Sequence, residues 1–209
     1  MPNFDLEKYY ALQFNTSYKL AIGVDEVGRG PLAGPVVACS CMIKHNVEFN
    51  LLLQIKDSKK LSYFKRIQIQ NQLFPYVDYA IGVVDVNTID NINILQASLL
   101  AMQKSYKNLI LKATLKPTFI LLDGNQNIIV DIPSIPIVKG DNKSYCIALA
   151  SILAKNYRDN LMIELSKDYP QYEWNKNMGY GTKSHLDAIK KYGITKHHRQ
   201  TFAPIKFLV

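Results

Sequence analysis

Cysteine is scarce in this chain. Cys39, Cys41 and Cys146 are its only cysteines, and none belongs to a Cys-x-x-Cys pair. An odd count without that spacing argues against a disulfide framework and against a zinc site. It fits a reducing compartment, so a cytoplasmic location is expected. No apolar run approaches the roughly 18 residues that a membrane-spanning helix needs. The first residues, MPNFDLEKYYALQFN, carry charges and aromatics where a secretory signal has a short apolar block. Export and membrane association are therefore not expected. Internal repeats and low-complexity stretches are also lacking. Acidic residues are the minority: 17 Asp and Glu stand against 25 Lys and Arg, a net charge of +8 with His neutral. That excess favours a polyanionic partner, nucleic acid before an acidic membrane surface. What remains is an ordinary globular composition, 48% hydrophobic and 20% charged over 209 residues, long enough for one domain with a sizeable core.

The order of elements predicts an α/β fold. Apolar β-type runs are expected at Lys19 to Val24, Pro35 to Ile43, Tyr76 to Val86, Thr118 to Leu122 and Ile135 to Val138. Helical spacing predicts helices at Ser62 to Leu73, with Ser62 as N-cap, and at Asn91 to about Lys107. Two more are expected at Asn142 to about Lys167 and at Thr182 to Tyr192, the last closed by Gly193. The first three strands suit an antiparallel meander, and the later ones suit parallel crossovers. A mixed sheet with helices on both sides follows. Cys39 and Cys41 would share one strand face, and Tyr145, Leu149, Ile152 and Leu153 would face the core. His185 and His197 are expected at the surface.

The carboxylates carry the functional signal. Asp25-Glu26, Asp123 and Asp141 each close an apolar β run, and ligands of open α/β sheets bind at strand ends. Three separate segments could thus bring four carboxylates to one edge. Their mutual repulsion calls for counter-charge, and hard oxygen donors without His or Cys select Mg²⁺ or Mn²⁺. Two such ions can clamp a phosphodiester undergoing hydrolysis. The competing reading of each residue is a turn former or a solvated charge. Adjacent strand residues point to opposite faces, so Asp25 and Glu26 would cooperate only if the strand broke at Glu26, near Gly28 and Gly30.

The string GVDEVGRGPLAGPVV, Gly23 to Val37, resembles the signature of the type 2 ribonuclease H family, ribonuclease HII. Further matches follow in order: Asp57 to Leu61 (DSKKL), Asn93 to Leu95 (NIL), Leu122 to Asn125 (LDGN), Val138 to Asp141 (VKGD) and Ala150 to Lys155 (ASILAK). Arg158-Asp159, Gly179 to Thr182 (GYGT) and His198-Arg199 complete the set, which covers about residues 19 to 205. Leu149, where the family usually has a smaller residue, and Thr201, where a serine is usual, are the departures.

The resemblance implies a ribonuclease H-like fold with a mixed five-stranded sheet in a single domain over 1–209. The catalytic core would span about 19–170 and a helical C-terminal extension about 171–209. It places the acidic quartet on Asp25, Glu26, Asp123 and Asp141, which would hold two divalent ions, Mn²⁺ or Mg²⁺. Asp159 matches a nearby acidic position expected behind the ligands. The implied substrates are RNA–DNA hybrids and duplex DNA with embedded ribonucleotides, cut on the 5′ side of a ribonucleotide to leave a 5′-phosphate and a 3′-hydroxyl. Removal of ribonucleotides from DNA would be the role. Gly28, Arg29 and Gly30 match the ribose-sensing loop, and Tyr180 the residue at the ribonucleotide junction. Lys59, Lys60 and Thr182 lie in matched motifs as substrate contacts, with Lys139, Lys143, Lys183, His198 and Arg199 as further phosphate candidates. A monomer without a sliding-clamp-binding tail is expected. An inactive hybrid-binding protein would be signalled by loss of a carboxylate. An integrase-like enzyme would offer no reason for Gly28-Arg29-Gly30 together with Tyr180.

Overall fold

Each apolar β run of the sequence forms a strand in the computed structural model, which describes residues 1–44, 47–55 and 61–208. The strands are β1 (Ala21–Val27), β2 (Val36–Ile43), β3 (Val77–Val84), β4 (Phe119–Asp123) and β5 (Ser134–Ile137). They form one mixed sheet in the order β3-β2-β1-β4-β5. The first three pair antiparallel, β1 with β2 across a loop and β2 with β3 although residues 44–76 lie between them, and β1, β4 and β5 run parallel.

Alternation assigns the two faces. Ile22 and Val24 of β1, Val36 and Ala38 of β2 and Ala80 and Val84 of β3 pack with Ala97, Ala101 and Leu109. Those three belong to helix α4 (Val86–Ile110). On the opposite face Cys39, Cys41 and Ile43 meet Leu149, Ile152 and Leu153 of helix α5 (Tyr145–Asp168). Gly23 is what lets α5 lie so close to β1. A Cβ there would stand 2.1 Å from the Cys146 carbonyl carbon, so any side chain would lever the helix off the sheet.

The helices bear out their sequence signals with informative shifts. Ser62 caps α3 (Tyr63–Leu73), accepting from the Lys65 amide at 3.3 Å. Helix α4 starts five residues earlier than the periodicity predicts, because Asp85 caps it through the Thr88 amide at 2.8 Å. It is then kinked at Asn93, whose φ of 65° is left-handed. The Asn93 carboxamide oxygen accepts from the Leu95 and Gln96 amides at 3.0 and 3.1 Å and so restarts the helix. Helix α5 begins at Tyr145 and not at Asn142, since Gly140–Asn142 forms a 3-10 turn and Ser144 is the N-cap.

Among the described residues, three helices carry no such sequence signal: α1 (Asp5–Gln13) and the short α2 (Phe49–Leu52) and α6 (Trp174–Asn177). Helix α1 is held by tertiary contacts. Its buried Glu7 accepts from the Ser144 hydroxyl at 2.7 Å and the Cys146 amide at 3.2 Å, at the N-terminus of α5. Past α5, helix α7 (Lys183–Tyr192) is capped by Thr182 and buries Ala188 and Ile189 against Trp174, Tyr172, Leu32 and Ala33. The C-terminal third therefore packs on the loop between β1 and β2.

Candidate active site

Strand β1 outruns its parallel partner. Its pairing with β4 ends at Val24 opposite Leu122, whereas its pairing with β2 continues through Asp25, Glu26 and Val27. The last three residues therefore have one free edge, facing the space beyond the end of β4. The expected strand break at Glu26 does not occur. Asp25 and Glu26 still line one cleft, because both reach it from that open edge.

The cleft has a volume of about 390 Å³ and is lined by Asp25, Glu26, Gly28, Arg29, Gly30, Asp123, Ser151, Lys155 and Tyr180, with Val27. Asp25 is buried; it accepts from the Glu26 amide at 2.7 Å and from the Ser151 side chain. Glu26 faces the Arg29 guanidinium at 3.4 Å. Asp123, at the tip of β4, accepts from the Gly140 amide at 2.7 Å. That bond ties it to the turn carrying Asp141. Asp141 is buried on this 3-10 turn, beside the cleft and not among its lining residues, and accepts from the Asn142 carboxamide at 2.8 Å.

The electrostatics are those of carboxylates short of counter-charge. Burial, followed by the charges of Glu26 and Asp123, pushes the Asp25 carboxyl well above the usual range. Burial also raises Glu26, against the pull of Arg29 and with a push from Asp123. Among the described residues no three His, Cys, Asp or Glu side chains close into a ready-made metal cage. The donor set nevertheless fits a hard divalent cation. Mg²⁺ and Mn²⁺ take oxygen ligands, and Mg²⁺ commonly uses one or two carboxylates with water and substrate phosphate completing the shell. A cation between Asp25, Glu26 and Asp123 would also relieve their repulsion.

Two cleft residues carry no role in the sequence reading. Ser151 and Lys155 are one turn apart on α5, and Asp159 one turn further, so the three share a helix face. That spacing was the available signal. Asp159 does not line the cleft. Its oxygens are taken by Arg66 at 2.6 Å and by Lys155 at 2.6 Å.

The Gly28–Gly30 loop and Tyr180 lie side by side in the cleft. A Cβ on Gly30 would sit 3.5 Å from the Tyr180 ring, in ordinary contact. Gly28 has φ of +94°, which glycine alone adopts at little cost. Tyr180 is exposed, as are Lys139, Lys143, Lys183 and Thr182, whose hydroxyl serves as the α7 cap. Lys59 and Lys60 lie outside the described residues.

His198 and Arg199 are not phosphate contacts, since both are buried. The Arg199 guanidinium donates to the carbonyls of Gly28, Arg29 and Gly34, while Arg158 donates to those of Ala33, Pro35 and Met178. Loop carbonyls thus take the place of a carboxylate partner, and burial lowers the two guanidinium groups to about 9 and about 10. His185, expected at the surface, is buried too and bonds to Trp174 and His198.

His198 makes the fold acid-sensitive. Burial and the neighbouring His185 lower it to about 4, whereas an unfolded histidine titrates near 6.5. The unfolded chain then binds the extra proton between those values, so this contribution to stability is complete above pH 6.5 and lost as pH falls towards 4. His198→Gln keeps a donor but does not titrate. The stability gap between parent and variant should shrink by about 2–3 kcal/mol from pH 7 to pH 4.5 in denaturant titrations. A gap independent of pH would contradict the assignment.

Comparisons with known proteins identify the family. The family model described as Ribonuclease HII matches residues 22–207. A ribonuclease HII of Lactobacillus helveticus is 49% identical over 202 residues, covering 96% of this chain and 78% of that protein. One of Ehrlichia canis is 46% identical over 211 residues, covering 98% and 96%. Among solved structures, ribonuclease H2 of Pyrococcus horikoshii superposes with a TM-score of 0.71 at 25% identity, over 90% of this chain and 96% of that one. A Bst ribonuclease HIII in complex with Mn²⁺ gives 0.71 at 20% identity, over 89% and 68%, a likeness of fold alone. With the family model matching nearly the whole chain and relatives 46–49% identical along it, this protein belongs to the ribonuclease HII family of endoribonucleases.

Proposed function

We propose that this endoribonuclease, whose family acts on RNA–DNA hybrids, cuts on the 5′ side of ribonucleotides, including a single one embedded in duplex DNA. It would leave a 5′-phosphate and a 3′-hydroxyl and so begin ribonucleotide removal. The observation that carries the reading is the cleft itself, where Asp25, Glu26 and Asp123 lie opposite Gly28, Arg29, Gly30 and Tyr180. The groups read as chemical and those read as sugar-sensing thus line one cavity.

Asp25, Glu26 and Asp123 would hold the divalent ions, Mn²⁺ or Mg²⁺, with Asp141 contributing from the adjoining turn. When bound, such ions supply an activated water and stabilise the leaving oxygen. The chain's own groups do the rest. Ser151 and the Glu26 amide fix Asp25, and the Gly140 amide fixes Asp123, so the donors are aimed before substrate arrives. Lys155, steered by Asp159, offers positive charge to a phosphate entering the cleft. Backbone groups of the Gly28–Gly30 loop can approach a 2′-hydroxyl, which both donates and accepts. The exposed Tyr180 ring can stack on the neighbouring sugar or base.

The test is a labelled duplex with one embedded ribonucleotide, with the cut mapped to the nucleotide. A single metal-dependent cut 5′ to the ribonucleotide is expected; a cut on its 3′ side, or none, contradicts the reading. Binding should also weaken steeply with salt, the log–log slope being about −0.9 per phosphate neutralised. A flat response for the metal-free protein would remove the argument from the +8 charge.

A further inference from the structure

Behind Tyr180 lies a set of buried polar rings that the catalytic chemistry leaves unexplained. The Trp174 indole donates to His185 Nε2 at 3.0 Å. His185 Nε2 and His198 Nε2 are 3.2 Å apart, and His185 Nδ1 is 2.9 Å from the Tyr180 carbonyl. The Thr195 amide donates to His198 Nδ1 at 2.9 Å. These partners determine both tautomers. A carbonyl only accepts, so His185 carries its proton on Nδ1 and its Nε2 accepts. The Thr195 amide only donates, so His198 carries its proton on Nε2 and gives it to His185. Trp174 and His198 then share the one lone pair of His185 Nε2 with both imidazoles neutral, and the chain of bonds has one direction. It runs from Trp174 and His198 through His185 and ends on the backbone of Tyr180.

That carbonyl is held twice, since the Thr182 amide also donates to it at 2.8 Å. Two bonds to one acceptor restrict the Tyr180 peptide in height and in rotation. The residue flanks two glycines, and Gly179 has φ of +81°, so the local backbone has little stiffness of its own. The ring it carries stands over Gly30. We propose that His185 is a positioning residue for junction recognition: through the Tyr180 carbonyl it sets the Tyr180 ring against the Gly28–Gly30 loop, with Trp174 and His198 holding His185 in the required tautomer. The inference rests on the reading of Tyr180 as the group that reads the junction between ribonucleotide and DNA.

Two substitutions separate the two ends of the imidazole. In His185→Asn the side-chain NH₂ stands near the place of Nδ1 and can still donate to the Tyr180 carbonyl, while the acceptor for Trp174 and His198 is gone. In His185→Gln the side-chain carbonyl reaches the place of Nε2 and can still accept from both, while the donor to Tyr180 is gone. The readout is the ratio of cleavage on a single-ribonucleotide duplex to cleavage on a continuous RNA–DNA hybrid of the same sequence, which offers no such junction. Trp174 is the chain's only tryptophan, so its emission reports the other end independently.

His185→Gln should lower the ratio about tenfold with tryptophan emission close to the parent's. His185→Asn should keep the ratio within about threefold although the emission shifts. The proposal is overturned if His185→Gln leaves the ratio unchanged, or if His185→Asn lowers it as far as Tyr180→Ala does. Should His185→Gln fail to fold, His185→Asn alone decides by the same criterion. Tyr180→Ala run in parallel distinguishes the failures. If it leaves the ratio at the parent's value, the recognition role of Tyr180 falls and the inference with it. If it lowers the ratio and His185→Gln does not, only the positioning role of His185 falls.

Discussion

Asp123→Asn should lower kcat on any ribonucleotide-containing substrate by about a thousandfold, a loss of about 4 kcal/mol of transition-state stabilisation. The substitution is nearly isosteric, and its carboxamide oxygen can still accept from the Gly140 amide, so the turn carrying Asp141 keeps its place. What disappears is one negative charge from a group in which Asp25 is already pushed up by burial and by Glu26 and Asp123. Thermal stability should therefore hold or rise, because a repulsion present in the metal-free fold is relieved. Substrate binding, carried by basic side chains and the loops, should survive. Activity within about tenfold of the parent at matched Mn²⁺ would remove Asp123 from the metal-holding set. Lost activity together with a lowered melting temperature would reduce its role to holding the Gly140 turn.

Tyr180→Ala should reduce cleavage at a single embedded ribonucleotide by about ten- to a hundredfold, since base or sugar stacking contributes roughly 1–3 kcal/mol and 1.4 kcal/mol is tenfold. Tyr180 is 43% exposed and projects over Gly30, so truncation opens no core cavity and stability should barely change. Metal binding should be unaffected, because a phenol is a poor ligand for Mg²⁺ beside carboxylates. Tyr180→Phe retains the flat ring and should retain most of the activity if stacking is the contribution that matters. Undiminished cleavage by Tyr180→Ala would leave recognition to the Gly28–Gly30 loop alone.

Much of this site could be read from the chain before any coordinates. The hydrophobic run that stops at Asp123 announces the end of β4, the run that stops at Asp25 comes within two residues of the end of β1, and the glycines at Gly28 and Gly30 announce close backbone approach. Those signals are local, and they hold because burial on the sheet leaves little freedom in how such runs pair. The strand passing unbroken through Glu26 was not legible. It depends on the β1–β4 pairing stopping at Val24 while the β1–β2 pairing continues to Val27, a matter of register between segments of which β1 and β4 lie about a hundred residues apart. The burial of Arg158, Arg199, His185 and His198 was equally hidden. A charged or titratable residue reads as surface unless its partners are known, and here the partners are loop carbonyls and other rings. Helix α1 escaped for a related reason: its polar face reads as solvated, whereas Glu7 docks on the start of α5.

The central claim is that carboxylates at the strand ends deliver divalent ions to the phosphate 5′ of a ribonucleotide. The measurement that addresses it most directly replaces a non-bridging oxygen of that one phosphate by sulfur and compares cleavage in Mg²⁺ with cleavage in Mn²⁺. Sulfur is a poor ligand for hard Mg²⁺ and a better one for the softer Mn²⁺. The account predicts that one phosphorothioate diastereomer is cut far more slowly than the oxygen substrate in Mg²⁺ and substantially recovers in Mn²⁺. Equal slowing of that diastereomer in both ions, or no slowing in either, would contradict it.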